Sequence, residues 1–178
     1  MDWDRRYAQF DRCFGDGPSP FVREALSSLA LEGMTLLFPG DGYGRNGLWA
    51  AQRGASVVAV EGSRIAVEMA RAEAAHQGLD YRSFLCDLSS PPLPVFEEHF
   101  DMVVSAWFRI EADSTDPQRS WNVHATKMLR PDGLIVLVGS QAMEPAASEM
   151  RLWPAEVTWT DCSTDEETRL IGRLSCRD

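Results

Sequence analysis

The sequence predicts an α/β fold: an open, mostly parallel sheet with helices on both faces. Three observations carry this. From Met34 onward, short β-rich runs alternate with helix-like segments. The first run ends in a glycine-rich turn that leads into a helix. A later run, Leu134 to Val138, is apolar at every position, as a strand must be when helices cover both faces of its sheet.

Taken in order, residues 1–33 supply aromatic and charged side chains, a loop from Gly15 to Pro20 and an amphipathic stretch from Phe21 to Leu31, and they read as a cap on the strand ends. Residues 34–178 form the core, so the expected unit is a single domain over 1–178. The first strand is Thr35 to Phe38, and the helix after it runs from Arg45 to Arg53 and is closed by Gly54. Ser56 to Val60 is the second strand, ending at Glu61. Ser63 then caps a helix whose apolar face carries Ile65, Met69 and Ala72, and Gly78 stops it. Strand three runs from Tyr81 to Cys86, followed by an extended loop with Pro91, Pro92 and Pro94. Strand four is Phe100 to Ala106. Asp116 and Pro117 start a helix that buries Trp121, Ala125 and Met128, and Pro131 to Gly133 turn the chain into strand five. A short helix over Ala146 to Leu152 and an antiparallel hairpin, Glu156 to Cys162 with Thr168 to Cys176, complete the chain.

Composition narrows the function. With 27 Asp and Glu against 17 Lys and Arg, the formal net charge is -10, which argues against nucleic acid, whose binding draws on cationic groups. The four cysteines (Cys13, Cys86, Cys162, Cys176) form no C-x-x-C pair, and His76, His99 and His124 stand far apart, so no metal site is expected. The opening Met1 to Asp4 does not read as a signal peptide, and no apolar run approaches the roughly 20 residues of a membrane span. The expectation is a cytoplasmic protein with no membrane or nucleic-acid partner, monomeric or a weak homodimer.

The chemistry lies in the segment from Leu36 to Asn46. Glycines at 40, 42 and 44 between a strand and a helix let backbone approach a ligand, and the helix start offers unpaired N–H groups. Glu61 stands 21 residues beyond Gly40 at the end of the second strand, where an acid can accept the hydroxyl hydrogens of a ribose. Asp87 ends the third strand in the corresponding place, within reach of an adenine. A dinucleotide fingerprint requires a small residue after Gly44 to bring the helix close under a pyrophosphate, and this chain has Arg45. Gly-x-Gly-x-Gly suits a ligand without pyrophosphate whose amino-acid tail crosses the turn, such as S-adenosylmethionine.

On these residues, Leu36 to Ser63 resembles the nucleotide-binding core of class I S-adenosylmethionine-dependent methyltransferases. Trp3 to Tyr7, the loop at 15–20 and Gly44 to Asn46 resemble the small-molecule branch with the tellurite-resistance and thiopurine methyltransferase types. The resemblance implies a Rossmann-like three-layer sandwich with a seven-stranded sheet in the order 3-2-1-4-5-7-6, strand 7 antiparallel. It also implies S-adenosylmethionine as cofactor. Gly40, Gly42 and Gly44 would line its methionine part, Glu61 its ribose, and Asp87 and Leu88 its adenine; Ser105 to Trp107 would pass beneath the sulfonium. Asp41, Arg45, Asn46 and Gly62 complete the candidate cofactor set. One departure stands out: the family commonly carries an acid two residues before the first glycine, where this chain has Phe38, and Asp41 is the nearest substitute.

Methyl transfer from a sulfonium is an in-line displacement that needs positioning more than a nucleophilic residue, so no catalytic residue is assigned. His124 reads as a packing residue of its helix, and Arg109 as either a contact for an anionic acceptor or a solvated loop arginine. Trp3, Tyr7, Phe21, Trp107 and Phe108 are expected to converge on the cleft mouth; Trp3, Tyr7, Phe21, Phe108 and Arg109 form the candidate acceptor set, and Trp107 belongs with the cofactor residues. The Ser90 to Leu93 segment has neither the amide nor the aromatic of amino-directed methylases. The expected activity is methyl transfer to a small-molecule heteroatom acceptor, sulfur types preferred. The alternatives are a catalytically silent ligand-binding module and a dinucleotide-dependent oxidoreductase.

Overall fold

The computed structural model describes residues 2–9, 12, 14–89, 96, 99–110, 115–142 and 146–175. The apolar runs become strands β1 (Thr35–Pro39), β2 (Ser56–Glu61), β3 (Tyr81–Leu85), β4 (Phe100–Ala106), β5 (Leu129–Ser140), β6 (Val157–Asp161) and β7 (Glu167–Leu174). These seven form one sheet in the order β3-β2-β1-β4-β5-β7-β6. Strands β1 to β5 pair in parallel, and β7 lies antiparallel to both β5 and β6, as expected. The helices among the described residues are α1 (Trp3–Gln9), α2 (Pro20–Ser27), α3 (Gly47–Ala51), α4 (Arg64–Gln77), α5 (Asp116–Met128) and α6 (Ala146–Met150).

The period of two along each strand makes three layers. Leu36, Phe38, Val57, Ala59, Met102, Val104 and Val136 point to one face and pack with Val22 and Leu26 of α2, Leu48 and Ala50 of α3, and Ala70 and Ala74 of α4. The alternate residues Leu37, Val58, Val60, Val103, Ile135 and Leu137 meet Trp121, Ala125 and Met128 of α5 and Ala146 of α6. Full burial of one such Val, Leu or Ile stabilises by about 1.5–3 kcal/mol, so both faces contribute to holding the sheet. The crossover through α3 lies on the first face and the one through α5 on the second. The strand order therefore reverses between β1 and β4, and a crevice opens above their carboxyl ends.

Several local expectations are corrected. Helix α3 begins at Gly47, not Arg45, because residues 42–46 are taken up in turns of the glycine loop, and it ends at Ala51. Helix α4 is capped as expected, with the Ser63 hydroxyl accepting from the Ala66 N–H at 3.2 Å and Gly78 closing it at φ 65°. Its buried face is Ala66, Val67, Ala70 and Ala74. Small side chains let this helix lie close on the sheet, while Ile65 and Met69 turn toward Tyr7 of α1 and Ala72 is exposed. Strand β5 starts at Leu129. Its register jumps from Phe100↔Leu129 to Met102↔Leu134, so the Pro131 to Gly133 turn becomes a bulge, with Asp132 at φ 61°. Helix α6 and strands β3, β6 and β7 are each shorter than expected.

The prolines at 91, 92 and 94, the Ser90 to Leu93 segment, Cys13 and Cys176 lie outside the described residues. Among the described residues no helix is long and apolar enough to cross a membrane, and no cluster of His, Cys, Asp or Glu could hold a metal ion.

Candidate cofactor and acceptor cleft

A cleft of about 1090 Å³ opens above the carboxyl ends of β1, β2, β3 and β4. Small-molecule sites commonly span roughly 300–1,000 Å³, so there is room for a donor and an acceptor together. The glycine loop forms its floor. The Gly40 N–H donates to the Val60 carbonyl at 2.7 Å, and Gly40 and Gly42 take φ of 63° and 59°, left-handed values that favour glycine. A methyl group at Gly40 would come 2.9 Å from Phe108 Cγ, and one at Gly42 would come 2.6 Å from Tyr7 Oη. Rings from the end of β4 and from α1 thus lie directly on the loop backbone.

Glu61 ends β2 with only 7% of its surface exposed. Its Oε2 accepts from the Gly42 N–H at 3.0 Å and its Oε1 from the Ser63 N–H at 2.8 Å. One carboxylate therefore joins the glycine loop to the start of α4. Burial pushes the Glu61 carboxyl up from its ordinary value, and the backbone N–H groups only partly oppose this. Asp41 is also buried. Its carboxylate is turned beneath the loop, accepting from the Gly47 N–H at 3.1 Å and from the Tyr81 hydroxyl at 3.1 Å. Desolvation pushes its pKa up to about 7, and Tyr81, in turn, is raised well above a free phenol. Among the described residues no ion pair involves either acid. Asp87 is exposed and accepts from the Ser89 N–H and hydroxyl, which hold its carboxyl below the usual value.

Of the expected cofactor residues, Gly40, Asp41, Gly42, Arg45, Asn46, Glu61, Gly62, Asp87, Leu88 and Trp107 line the cleft. Gly44 and Ser105 do not. Gly44 is buried against Leu48 and Tyr81, and Ser105 is buried in β4 while its neighbours Ala106 and Trp107 reach the wall. Of the expected acceptor residues, Trp3, Tyr7, Phe108 and Arg109 line the cleft; Phe21 does not, because it faces the core of α2 with the Arg169 guanidinium 5.4 Å from its ring centre. Arg109 is ion-paired with Glu149 of α6. His124 is half-buried against the Trp121 ring at 6.1 Å and does not line the cleft, in keeping with the packing reading. Phe38 is buried in the core.

The sequence reading missed Phe14, Ser19, Pro20, Tyr43, Cys86 and Glu167. Tyr43, Arg45 and Asn46 carry a second task. The Tyr43 hydroxyl donates to Gly15 O and accepts from the Phe14 N–H, Arg45 donates to the Gly17 and Phe14 carbonyls, and Asn46 Oδ1 accepts from the Ser19 N–H. The residues beside the glycines therefore strap the 14–19 segment over the loop. Helix α1 is fixed next to it: Asp4 Oδ1 accepts from the Ser63 hydroxyl at 2.5 Å and the Ile65 N–H at 3.3 Å, bonds that also lower the Asp4 pKa. At the mouth, Trp107 is 51% exposed and holds φ 57°, its N–H donating to the Val138 carbonyl.

A doubly wound sheet, a glycine loop and a buried acid ending the next strand, all meeting at the reversal of strand order, define a Rossmann-like protein with a cleft at that reversal. Within that class, the chain belongs to the methyltransferase-domain family, whose profile matches residues 37–133, from β1 into β5. No curated protein sequence matches it. Among solved structures it is similar to the N-methyltransferase NodS from Bradyrhizobium japonicum WM9 in complex with S-adenosylhomocysteine (TM-score 0.76, 16% identity, 98% of this chain and 99% of that one). It is similar also to a TehB-like SAM-dependent methyltransferase from Corynebacterium glutamicum (TM-score 0.71, 16% identity, 96% and 95%). A third likeness is to the T. thermophilus 16S rRNA N2 G1207 methyltransferase RsmC, in complex with AdoMet and guanosine (TM-score 0.67, 22% identity, 86% of this chain); this chain spans 40% of RsmC's length. The sheet order of this chain is the one the class I resemblance implies.

Proposed function

We propose that this protein transfers the methyl group of S-adenosylmethionine to a small-molecule heteroatom acceptor. The observation that carries the reading is Glu61: a buried carboxylate at the end of β2, fixed by the Gly42 and Ser63 N–H groups and bordering the cleft, where a ribose diol can satisfy its remaining lone pairs. The cleft wall also carries Asp2, Asp4, Asp41 and Asp87 against Arg45 and Arg109, a balance that suits a ligand bearing a sulfonium. In the proposal, Gly40 and Gly42 receive the methionine part, Asp87, Leu88 and Gly62 the adenine end, and Ala106 and Trp107 the reactive centre. Arg45 and Asn46 act through the loop they hold.

When bound, the donor would supply an electrophilic methyl group for in-line attack by an acceptor lone pair, with the thioether S-adenosylhomocysteine as the leaving group. Trp3, Tyr7, Trp107 and Phe108 then enclose a flat, apolar acceptor and exclude water. None of the described cleft residues is a histidine, Arg109 is paired with Glu149 and Glu167 with Arg169. An acceptor that is already a good nucleophile fits such a wall, which supports the preference for sulfur-type acceptors. The free thiols of Cys86 and Cys162 fit the proposed cytoplasmic setting. We treat residues 1–178 as one unit, monomeric or weakly dimeric, with no nucleic-acid partner.

The buried Phe38 favours one second reading, a module that binds the adenosyl ligand without turnover. Transfer of radiolabelled methyl from S-adenosylmethionine to a panel of aryl thiols, selenolates, phenols and amines separates the two. Label on a thiol or selenolate supports the proposal. Donor binding with no label transferred to any member of the panel favours the silent module.

A further inference from the structure

Asp41 is one of the cleft acids, with no individual role in the proposed mechanism, and its setting is unusual. It sits on the glycine loop, between two of the glycines that floor the cleft, yet its oxygens face inward to the Gly47 N–H and the Tyr81 hydroxyl. The charged and titratable groups around it are few: Glu61 on β2 and Tyr81 on β3 both face it, while Arg45, next along the loop, spends its guanidinium on the Gly17 and Phe14 carbonyls. Two buried acids, Asp41 and Glu61, thus share one wall of the cleft with no cation paired to either among the described residues. Phe38 fills with hydrocarbon the place where the resemblance leads one to expect an acid.

We propose that Asp41 replaces the missing acid as a positioning residue: from beneath the loop its negative charge answers the positive charge of the bound donor, and donor binding drives it to give up its proton. This rests on the proposed S-adenosylmethionine site. The physical reason is linkage. Burial and the neighbouring Glu61 disfavour the ionised form of Asp41 and push its pKa up to about 7. A sulfonium placed in the same low-dielectric wall favours that form. Donor affinity must then rise as pH increases through neutrality, and binding near neutral pH must release protons. S-adenosylhomocysteine, which lacks the sulfonium, must release fewer. Tyr81 sets the midpoint, since its hydrogen bond stabilises the ionised carboxylate.

The test is calorimetric titration of the full chain with S-adenosylmethionine and S-adenosylhomocysteine, in phosphate and in imidazole buffer, across the neutral range. Comparing the buffers counts protons released. In the wild type, more protons leave with S-adenosylmethionine than with S-adenosylhomocysteine, and donor affinity rises severalfold from the acidic to the basic side of neutrality. Asp41→Asn abolishes both the excess and the slope. Tyr81→Phe moves the affinity midpoint to higher pH, and it carries the test if Asp41→Asn does not fold. An unchanged excess and slope in Asp41→Asn, or an unmoved midpoint in Tyr81→Phe, overturns the assignment while leaving the methyltransferase reading intact. Failure of the wild type to bind either compound removes both.

Discussion

At the glycine loop, buried carboxylates are tied by hydrogen bonds to backbone N–H groups and a tyrosine hydroxyl; across the cleft, Trp107 stands half-exposed and Arg109 and Glu167 are committed to ion pairs. The loop half has its conformational cost met during folding, so a ligand meets a fixed frame there. The opposite half offers rings and few polar groups left uncommitted, so the identity of what binds rests on a handful of exposed side chains. The family therefore shows in the rigid half, while the acceptor is written in the loose one.

The contrast can be broken hardest at Glu61. Removing the carboxylate in Glu61→Ala leaves the Gly42 and Ser63 N–H groups unpaired inside the protein and takes away the proposed ribose contact. Two charge-assisted hydrogen bonds at about 1.5 kcal/mol each correspond to a loss of about a hundredfold in S-adenosylhomocysteine affinity, read by calorimetry. Gly42→Ala comes next: its methyl group meets Tyr7 Oη and its φ is left-handed, so affinity falls by about tenfold as α1 is pushed outward.

Asp41→Asn sharpens the comparison through stability. An acid whose folded pKa lies near 7, above its ordinary value of 3.8, binds more protons in the folded chain than in the unfolded one. Its contribution to stability is therefore lost as pH rises from about 4 to about 7, and stays lost above. The amide has no such loss, so Asp41→Asn melts higher than the wild type on the basic side of neutrality. The gap narrows toward acid pH; for a chain of this size about 2–4 °C corresponds to each kcal/mol. The smallest effect is expected at Trp107. Trp107→Gly relieves a left-handed residue that costs on the order of 1 kcal/mol. It leaves melting temperature equal or slightly higher and donor affinity within about twofold, but lowers methyl transfer to flat acceptors.

The rigid half was also the legible half. Strands β1, β2 and β4 are mostly apolar runs buried on both faces, and a glycine loop followed by Glu61 at a strand end narrows the reading to nucleoside-type ligands. What escaped depended on contacts distant in sequence. The strap from Tyr43 to Gly15 spans 28 residues, and nothing in a lone tyrosine announces it. On α4, Ile65, Met69 and Ala72 share the helical spacing of the true face but outweigh its alanines in hydrophobicity, which concealed the close helix-to-sheet approach that alanine permits. The aromatic character of Phe21 points to the cleft, whereas the amphipathic face of α2 buries it. Asp41 was legible as a candidate, but the inward turn of its carboxylate required Tyr81 from another strand.

Calorimetric titration of the wild type and Glu61→Gln with S-adenosylhomocysteine, with NAD as control, decides whether this cleft holds the adenosyl donor through Glu61. One saturable site is expected in the wild type, with a large loss of affinity in Glu61→Gln and no binding of NAD. Binding of NAD in place of S-adenosylhomocysteine, or equal affinity in the two proteins, would contradict it.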